Sequence, residues 1–370
     1  MHIQITTSEV DDKKTEDSFS LPVDLIRTVG IVLVVMLHVC NEYYTAIYQT
    51  PLESAVYWWT STIYKSLTLS CVPLFVMLSG ALLLQPSKIN EPIKVFLRKR
   101  ANRIGWAYAF WSAVYLAWGF YLTQTPVTFF NVILGAVVGL FTGPWYHFWF
   151  IFIIVGLYLV TPILRAVVAF NRHNLLKYLI VLWATAVAIV PFLQLITGYT
   201  LNGSVFVFGG WIGYFVLGIY LQKVRVRSSI LYGLFFLGII WTVSTTWLMQ
   251  FLFQSVEQDY FFFDYLTANV IVASVALFMI LSKFNADWPG SNHPRASRFV
   301  HAISCNTLPI FLFHVIILES LHRGCFGFTL SLTIMNPVIG VPLITIVTFF
   351  ITLGLVLIMK KIPVLKKLIG

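Results

Sequence analysis

The stretch "VDLIRTVGIVLVVMLHVCNE", residues 23–42, decides the fold, because it is apolar and long enough to cross a lipid bilayer. It nevertheless carries ionisable side chains at Asp24, Arg27, His38 and Glu42. On an α-helix, eleven residues advance the chain by about 16 Å and three turns, so Arg27 and His38 share one face. Glu42 lies one turn beyond His38, close enough to pair with it. Such groups inside a spanning helix usually mark a site, although a snorkelling arginine and a histidine satisfied by a neighbouring helix would give the same pattern.

The composition indicates an integral membrane protein. Of the 370 residues, 59% are hydrophobic and 10% are charged, whereas a soluble domain carries about 25% charged residues. Aromatic residues make up 16%, which suits Trp and Tyr belts at the membrane interfaces. The formal net charge of +10 could indicate nucleic-acid binding. Because the basic residues alternate from loop to loop, we predict cytoplasmic loops and no nucleic-acid partner instead.

About ten transmembrane helices are predicted from apolar stretches of roughly 20 residues. They lie near 21–42, 60–84, 104–122, 147–168, 175–197, 204–222, 229–251, 263–284, 299–321 and 337–360. The stretch "VTFFNVILGAVVGLF", residues 127–141, is short and interrupted by glycine, so we predict a re-entrant or interfacial segment there. The predicted fold class is therefore an all-α, polytopic membrane protein.

The basic residues orient these helices. All 24 Lys and Arg residues except Arg27, Lys65 and Arg323 fall in the two tails or in alternate loops. Positive charge collects on the cytoplasmic side, so both termini are predicted to be cytoplasmic. Residues 1–20 are predicted to form a disordered cytoplasmic tail, and residues 21–370 a single domain that crosses the cell (cytoplasmic) membrane many times.

Several motifs follow one another in a specific order along the chain. They are "LPVDLIRTVGIVLVVMLH" at 21–38 with the layout D-x-x-R-x10-H, "VPLFVMLSGALL" at 72–83, "RKRANRI" at 98–104, "YHFWFIFIIVGLYLVTPIL" at 146–164, "FVLGIYL" at 215–221 and "SCNTLPIFLFHVIIL" at 304–318. In this order and spacing they resemble the acyltransferase-3 family of integral membrane O-acyltransferases, in its stand-alone form without an appended soluble domain. The resemblance runs from about residue 21 to residue 320.

The resemblance implies that an acyl group, typically acetyl, moves from a coenzyme A thioester to a hydroxyl of a lipid-linked or cell-surface glycan. Histidine suits the role of base, so His38 is the predicted catalytic residue and Glu42 its partner. Cytosolic acetyl-CoA, or another acyl-CoA, is the expected co-substrate, and its phosphates suit arginine forks at Arg27, Arg100 and Arg103. An ordinary basic loop is the alternative for that cluster. Direct transfer and a covalent acyl-histidine both remain open.

Aromatic and histidine residues near the outer ends of two predicted helices are candidates for holding the acceptor sugar. They are Trp145, His147 and Trp149 in "GPWYHFWF" and His314 in the ninth helix, with Glu319 and His322 as weaker candidates. An interfacial aromatic belt and a satisfied core histidine are the alternative interpretations. No role is assigned to His2, His173, His293 or His301.

A secondary transporter of a glycan or organic anion is the alternative function. It would share the spanning helices, the buried ionisable groups and the aromatic outer rim. Transporters commonly show broken helices at repeated positions, and no such repeat is evident in the sequence. Membrane lipids are expected partners under either function.

The cysteines indicate no metal site. The four residues, Cys40, Cys71, Cys305 and Cys325, lack the spacings that bind metals. Most of them adjoin apolar runs, so we predict buried free thiols.

Overall fold

The computed structural model describes residues 20–49, 55–170, 173–198, 210–252, 260–284, 294–332 and 334–370. Every regular element in these ranges is helical, which confirms the predicted all-α fold. The α-helices are α1 (Leu21–Gln49), α2 (Ala55–Thr68), α3 (Cys71–Leu83), α4 (Ile93–Thr123), α5 (Phe129–Thr142), α6 (Trp149–Ala169), α7 (His173–Ala184), α8 (Val190–Thr197), α9 (Ile212–Leu221), α10 (Ser228–Trp247), α11 (Ala268–Ser282), α12 (Pro294–Ser304), α13 (Thr307–His322), α14 (Pro337–Met359) and α15 (Pro363–Leu368). Short 3-10 turns lie at Pro86–Lys88, Tyr146–Phe148 and Tyr260–Phe263, and π-helical segments lie at Thr185–Ile189 and Leu248–Leu252. The predicted tail lies outside the described residues, apart from Ser20.

Seven helical segments of the described ranges are long and apolar enough to cross a membrane. They are Leu21–Asn41, Tyr57–Leu83, Phe129–Ala169, Asn174–Thr197, Ser228–Phe251, Phe261–Ser282 and Pro337–Met359. An eighth results if α12 and α13, which meet at 75°, form one bent span. Neither α9, which is short, nor α4, which joins a basic half to a half rich in Trp and Tyr, belongs to this set. The protein is thus a multi-pass membrane protein, and the count of ten remains a prediction.

Helix α1 is surrounded by other helices. It contacts α2, α3, α11, α12, α13 and α14. Its residues Ile31, Val35 and Val39, spaced one turn apart, are fully buried. Because protein rather than lipid encloses much of this helix, its polar residues Asp24 and His38 can be buried among partners instead of facing hydrocarbon.

Helices α3 and α9 cross with their backbones in contact. A Cβ on Gly80 would lie 1.8 Å from the carbonyl oxygen of Phe215, and one on Gly218 would lie 1.8 Å from that of Met77. Both positions therefore require glycine, the residue that lets membrane helices approach most closely. The crossing fixes α3, which supplies Val72 to the wall of the central cavity.

The chain bends sharply between α12 and α13, at Cys305 and Asn306. The Asn306 side chain donates to the carbonyl oxygen of Ala302 at 2.6 Å and so closes the end of α12. Pro309 falls in the first turn of α13, where a helix leaves its N–H groups unpaired and proline costs nothing. As a result, α13 enters the bundle while α12 packs against α1.

The segment predicted to be re-entrant or interfacial contains helix α5. Its 14 residues give a length of about 21 Å, less than the roughly 30 Å of hydrocarbon in a bilayer. The side chains of Phe129 and Phe141 are 84% and 75% exposed, and the Tyr108 hydroxyl of α4 donates to the Gly139 carbonyl at 2.7 Å. Helix α5 is therefore an outer helix attached to α4, and its position in the membrane stays a prediction.

Candidate active site

Three histidines from separate parts of the chain meet inside the bundle. His38 comes from α1, His147 from the turn at Tyr146–Phe148, and His314 from α13. The ring centroid of His38 lies 5.0 Å from that of His314 and 6.1 Å from that of His147. The centroids of His147 and His314 are 5.6 Å apart, and all three side chains are buried. The structure thus joins the predicted catalytic histidine to the two histidines predicted to hold the acceptor.

A short break between α5 and α6 places His147 in this cluster. Helix α5 ends at Thr142, and the next residue, Gly143, has a φ of 90°, which glycine adopts without strain. Trp145 is extended and leads into the 3-10 turn that starts α6. Within that turn Phe148 is fully buried, whereas Tyr146 is 56% exposed. The buried ring anchors the turn, and its neighbour His147 is buried with it.

The backbone of α13 holds His314 in one tautomer. Its Nδ1 lies 2.7 Å from the carbonyl oxygen of Phe311 and 3.2 Å from that of Ile310. A carbonyl oxygen only accepts hydrogen bonds, so Nδ1 carries the hydrogen and Nε2 the lone pair. Nε2 is buried and has no hydrogen-bond partner among the described residues. His314 can therefore serve the cluster as a proton or hydrogen-bond acceptor.

A cavity of about 280 Å³ lies beside His38. Its polar lining residues are His38, Asn41, Tyr146, His147, Trp149 and Tyr265, and its apolar ones are Val34, Leu37, Val72, Phe150 and Phe311. No Lys, Arg, Asp or Glu occurs among these described lining residues. A volume just below the roughly 300–1,000 Å³ of ligand pockets, without a formal charge, suits a small neutral group such as an acyl chain or part of a sugar.

Two indole rings hold the carboxylate of Glu319 near the end of α13. The Trp118 Nε1–H donates to Oε2 at 2.6 Å, and the Trp145 Nε1–H donates to Oε1 at 2.9 Å. The Trp145 ring also packs on Tyr115, with centroids 5.4 Å apart. Trp145 and His314 do not line the cavity in the described structure. They lie next to residues that do line it. Trp145 directly precedes the turn that carries His147, and the His314 ring lies beside the rings of His38 and His147.

The arginines predicted to bind coenzyme A are not part of the cavity wall. Arg27 lies three turns before His38 on α1, and Arg100 and Arg103 lie in the basic half of α4. The guanidinium of Arg100 sits over the rings of Phe96 and Tyr158, 5.7 and 5.9 Å from their centroids. Arg103 is exposed. Binding of coenzyme A by these residues stays a prediction.

Two other predicted residues have different outcomes. The backbone of Glu42 belongs to α1, but its side chain lies outside the described structure, so its pairing with His38 stays a prediction. Trp149 does line the cavity, and its ring centroid lies 5.7 Å from that of Tyr265. The acceptor role of Trp149 stays a prediction.

The fold and the site define a multi-pass membrane protein with a buried histidine cluster beside a neutral cavity. The family model for acyltransferase-3, described as an acyltransferase domain, matches residues 22–359. The chain belongs to the acyltransferase-3 family, and the resemblance read from the sequence is confirmed. A search of curated proteins and a search of solved structures returned no significant match. Family membership indicates a membrane acyltransferase activity.

Three residues of the site were missed in the sequence. Asn41 lines the cavity, and its position three residues after His38 on an apolar helix was an available signal, because that spacing shares a face. Tyr265 also lines the cavity. Tyr115 packs its ring 5.2 Å from that of His147 and donates its hydroxyl to the Leu312 carbonyl at 2.9 Å. No local pattern marks either tyrosine, since only the packing of distant helices brings them to the site.

Proposed function

We propose that the protein transfers an acyl group, in the first instance acetyl, from cytosolic acyl-CoA to a hydroxyl of a lipid-linked or cell-surface glycan. The observation that carries this proposal is the position of His38. Its imidazole borders a neutral cavity, it is backed by two further imidazoles, and it shares a helix with Arg27. The family indicates acyl transfer, and this cluster is where the required base would act.

The donor is assigned to the side of the membrane where the basic residues collect. Coenzyme A carries several phosphate charges, which the neutral cavity lining does not match. Arg27, Arg100 and Arg103 supply guanidinium groups that bind phosphate oxygens in pairs. In our proposal the nucleotide end stays among these arginines, and only the thioester end reaches His38.

The transfer itself requires one proton to move twice. The cavity-facing nitrogen of His38 takes the proton of the acceptor hydroxyl, and the resulting oxygen attacks the thioester carbonyl carbon. The bond from that carbon to the coenzyme A sulfur breaks, and the leaving thiolate takes the proton from His38. We assign to the Asn41 amide a hydrogen bond to the negative oxygen of the tetrahedral intermediate, because it lines the same cavity.

The other two histidines act on His38 in this scheme. Because Nε2 of His314 has only a lone pair, it can accept a hydrogen from a neighbouring imidazole or hydroxyl. Three imidazoles with centroids 5.0 to 6.1 Å apart repel one another if more than one is protonated. We propose that this repulsion keeps the His38 imidazole in its neutral form, so that it can accept the proton of the acceptor hydroxyl.

The acceptor is assigned to the exposed aromatic rim of the cavity. Tyr146 and Trp149 line the cavity and are both partly exposed, as a sugar that enters from outside would require. Aromatic faces of this kind pack against the C–H surfaces of sugars. The hydroxyl that reaches His38 would then be selected by its position on the ring.

The test measures transfer of radiolabelled acetyl from acetyl-CoA to glycan in isolated membranes. We expect His38→Gln to lower the rate by about 100-fold or more, because a general base contributes roughly 100- to 10,000-fold. His173→Gln, at a position without an assigned role, is the matched control and should transfer normally. Normal transfer by His38→Gln at equal protein abundance would remove the proposal. Stabilisation of the purified protein by acyl-CoA separates an enzyme of this kind from a transporter of glycans or organic anions.

A further inference from the structure

A second group of chemically active side chains lies at the bend between α12 and α13. The Asp24 Oδ2 accepts a hydrogen bond from His301 Nδ1 at 2.9 Å. The Cys305 sulfur lies 3.5 Å from Nε2 of the same ring and 4.0 Å from its Nδ1. The side chain of Asp24 is 5% exposed and that of His301 is 32% exposed, whereas Cys305 belongs to the exposed cysteines. The prediction of a buried thiol is therefore wrong for Cys305, as it is for Cys325.

This order of carboxylate, imidazole and thiol is the one that activates cysteine nucleophiles. Because Asp24 engages Nδ1, the Nε2 of His301 is left with the lone pair that can take the thiol proton. The two sulfur distances show that the thiol lies beside the ring rather than in line with Nε2. Catalytic hydrogen bonds are often poorly aligned before a substrate binds.

One cation, Lys360, lies beside Cys305, and two further cations lie near Lys360. The Lys360 ammonium donates to the Cys305 carbonyl at 3.4 Å. Burial lowers the pKa of Lys360, Cys305 opposes that shift, and the nearby Arg103 and Lys366 add to it. Neighbouring cations favour the thiolate, which is the nucleophilic form of cysteine. Arg103 is also one of the residues assigned to the phosphates of the donor, so the thiol adjoins the region where we place acyl-CoA.

A purely structural role accounts for only part of this arrangement. The Asp24–His301 pair joins α1 to α12, but the Thr28 hydroxyl already joins them by donating to the Val300 carbonyl at 3.2 Å. Fixing the two helices does not require an exposed thiol beside the imidazole.

We propose that Cys305 is an acyl-accepting thiol at the cytoplasmic end of the protein, activated by His301 and Asp24 and loaded from acyl-CoA. His301 Nε2 takes the thiol proton, and the thiolate attacks the carbonyl carbon of the acyl-CoA thioester. The carbon–sulfur bond to coenzyme A breaks, and the leaving thiolate takes the proton back from His301. One thioester replaces another, so the step consumes no oxidant or reductant. The inference rests on the proposed acyl-CoA donor and goes beyond it, because the site is separate from the cavity at His38.

The experiment uses the full-length protein in lipid nanodiscs with radiolabelled acetyl-CoA and no glycan. We expect label that stays with the protein and is released by neutral hydroxylamine, as a thioester requires. Cys305→Ser should remove this label, whereas Cys325→Ser, the control at the other exposed cysteine, should keep it. His301→Gln should slow labelling about 100-fold while the protein remains folded, because it removes the base and leaves the thiol in place.

A parallel measurement of transfer to glycan in membranes keeps the two proposals distinguishable. Label on Cys305 in His38→Gln, in which transfer to glycan should be strongly reduced, would support two separate acyl-binding sites. Wild-type transfer to glycan without labelling of Cys305 would overturn this inference and leave the proposed function intact. Labelling that survives Cys305→Ser would overturn it as well. If the wild-type protein showed neither labelling of Cys305 nor transfer to glycan, both proposals would be overturned.

Discussion

Replacing Glu319 tests whether its hydrogen bonds to two indoles stabilise the region of the turn that carries His147. Both of its oxygens accept an indole N–H, from Trp118 at 2.6 Å and from Trp145 at 2.9 Å. In Glu319→Gln one oxygen becomes an NH₂ group, which cannot accept, so one indole loses its partner. The other hydrogen bond persists between neutral groups.

The magnitude follows from these two bonds. A hydrogen bond to a charged group stabilises by about 1.5–3 kcal/mol and a neutral one by about 1 kcal/mol. Glu319 is only half-buried, so its charge is partly screened by solvent and the low end of the range applies. We expect Glu319→Gln to destabilise the protein by about 2 kcal/mol. Because Trp145 leads into the turn that carries His147, transfer should fall in the same variant.

The assay is unfolding in mixed micelles titrated with a denaturing detergent and followed by near-ultraviolet circular dichroism. The variant Trp145→Phe removes the indole donor and keeps an aromatic ring. In a double-mutant cycle, Trp145→Phe and Glu319→Gln should show a coupling energy of about 1 kcal/mol. Trp149→Phe changes a cavity residue instead, so its effect on stability should add to that of Glu319→Gln. If Trp145→Phe and Glu319→Gln were additive, or if Glu319→Gln destabilised the protein by less than about 0.5 kcal/mol, the hydrogen bonds from the two indoles to Glu319 would contribute nothing to stability.

Three further predictions concern the helix crossing, the donor and the intermediate. Gly218→Ala should destabilise the protein by about 2 kcal/mol or more, because the new Cβ would lie 1.8 Å from the Met77 carbonyl oxygen. The control Gly233→Ala has open space around it, so it should be neutral or slightly stabilising. Thermal unfolding measures both effects. Arg103→Gln should raise the KM for acetyl-CoA about tenfold with little change in kcat, because a phosphate contact acts equally on ground and transition states; an unchanged KM would disprove donor binding there. Asn41→Ala should lower kcat by roughly 100-fold in a labelled-acetyl assay, and Asn41→Gln should recover part of it; a change confined to KM would contradict the oxyanion role.

Much of the fold follows from the sequence. Apolar length and the sparse charges predict an all-helical membrane protein, and the structure confirms it. The number of spans is harder to predict. Helix α4 is long yet mixes basic and aromatic residues, and α9 is short, so neither has the uniform hydropathy on which such a count depends. The bend at Cys305 separates α12 from α13, within a stretch that reads as one continuous helix in the sequence.

The candidate site could be predicted only where one helix carried the information. The spacing of Arg27 and His38 is local, since 3.6 residues per turn fix their common face. The meeting of His38 with His147 and His314 depends on the helix break at Gly143 and on the entry of α13 into the bundle. No periodicity encodes such contacts. The grouping of His301 with Asp24 and Cys305 was missed for the same reason, because Asp24 lies far from the other two in sequence.

The uncharged wall of the cavity bears on where the proposed donor could place its phosphates. A wall without formal charge can receive an acyl group and a sugar hydroxyl, but it gives no compensation for phosphates taken out of water. In the proposed function the phosphates therefore remain near Arg27 at the start of α1, about 16 Å along the helix from His38. In this proposal, only the thin, uncharged arm of acyl-CoA bridges that distance. A donor whose acyl group lacks such an arm, such as acetyl phosphate, should therefore fail to support transfer even at high concentration, and its use as an efficient donor would contradict the separation of phosphate and acyl sites.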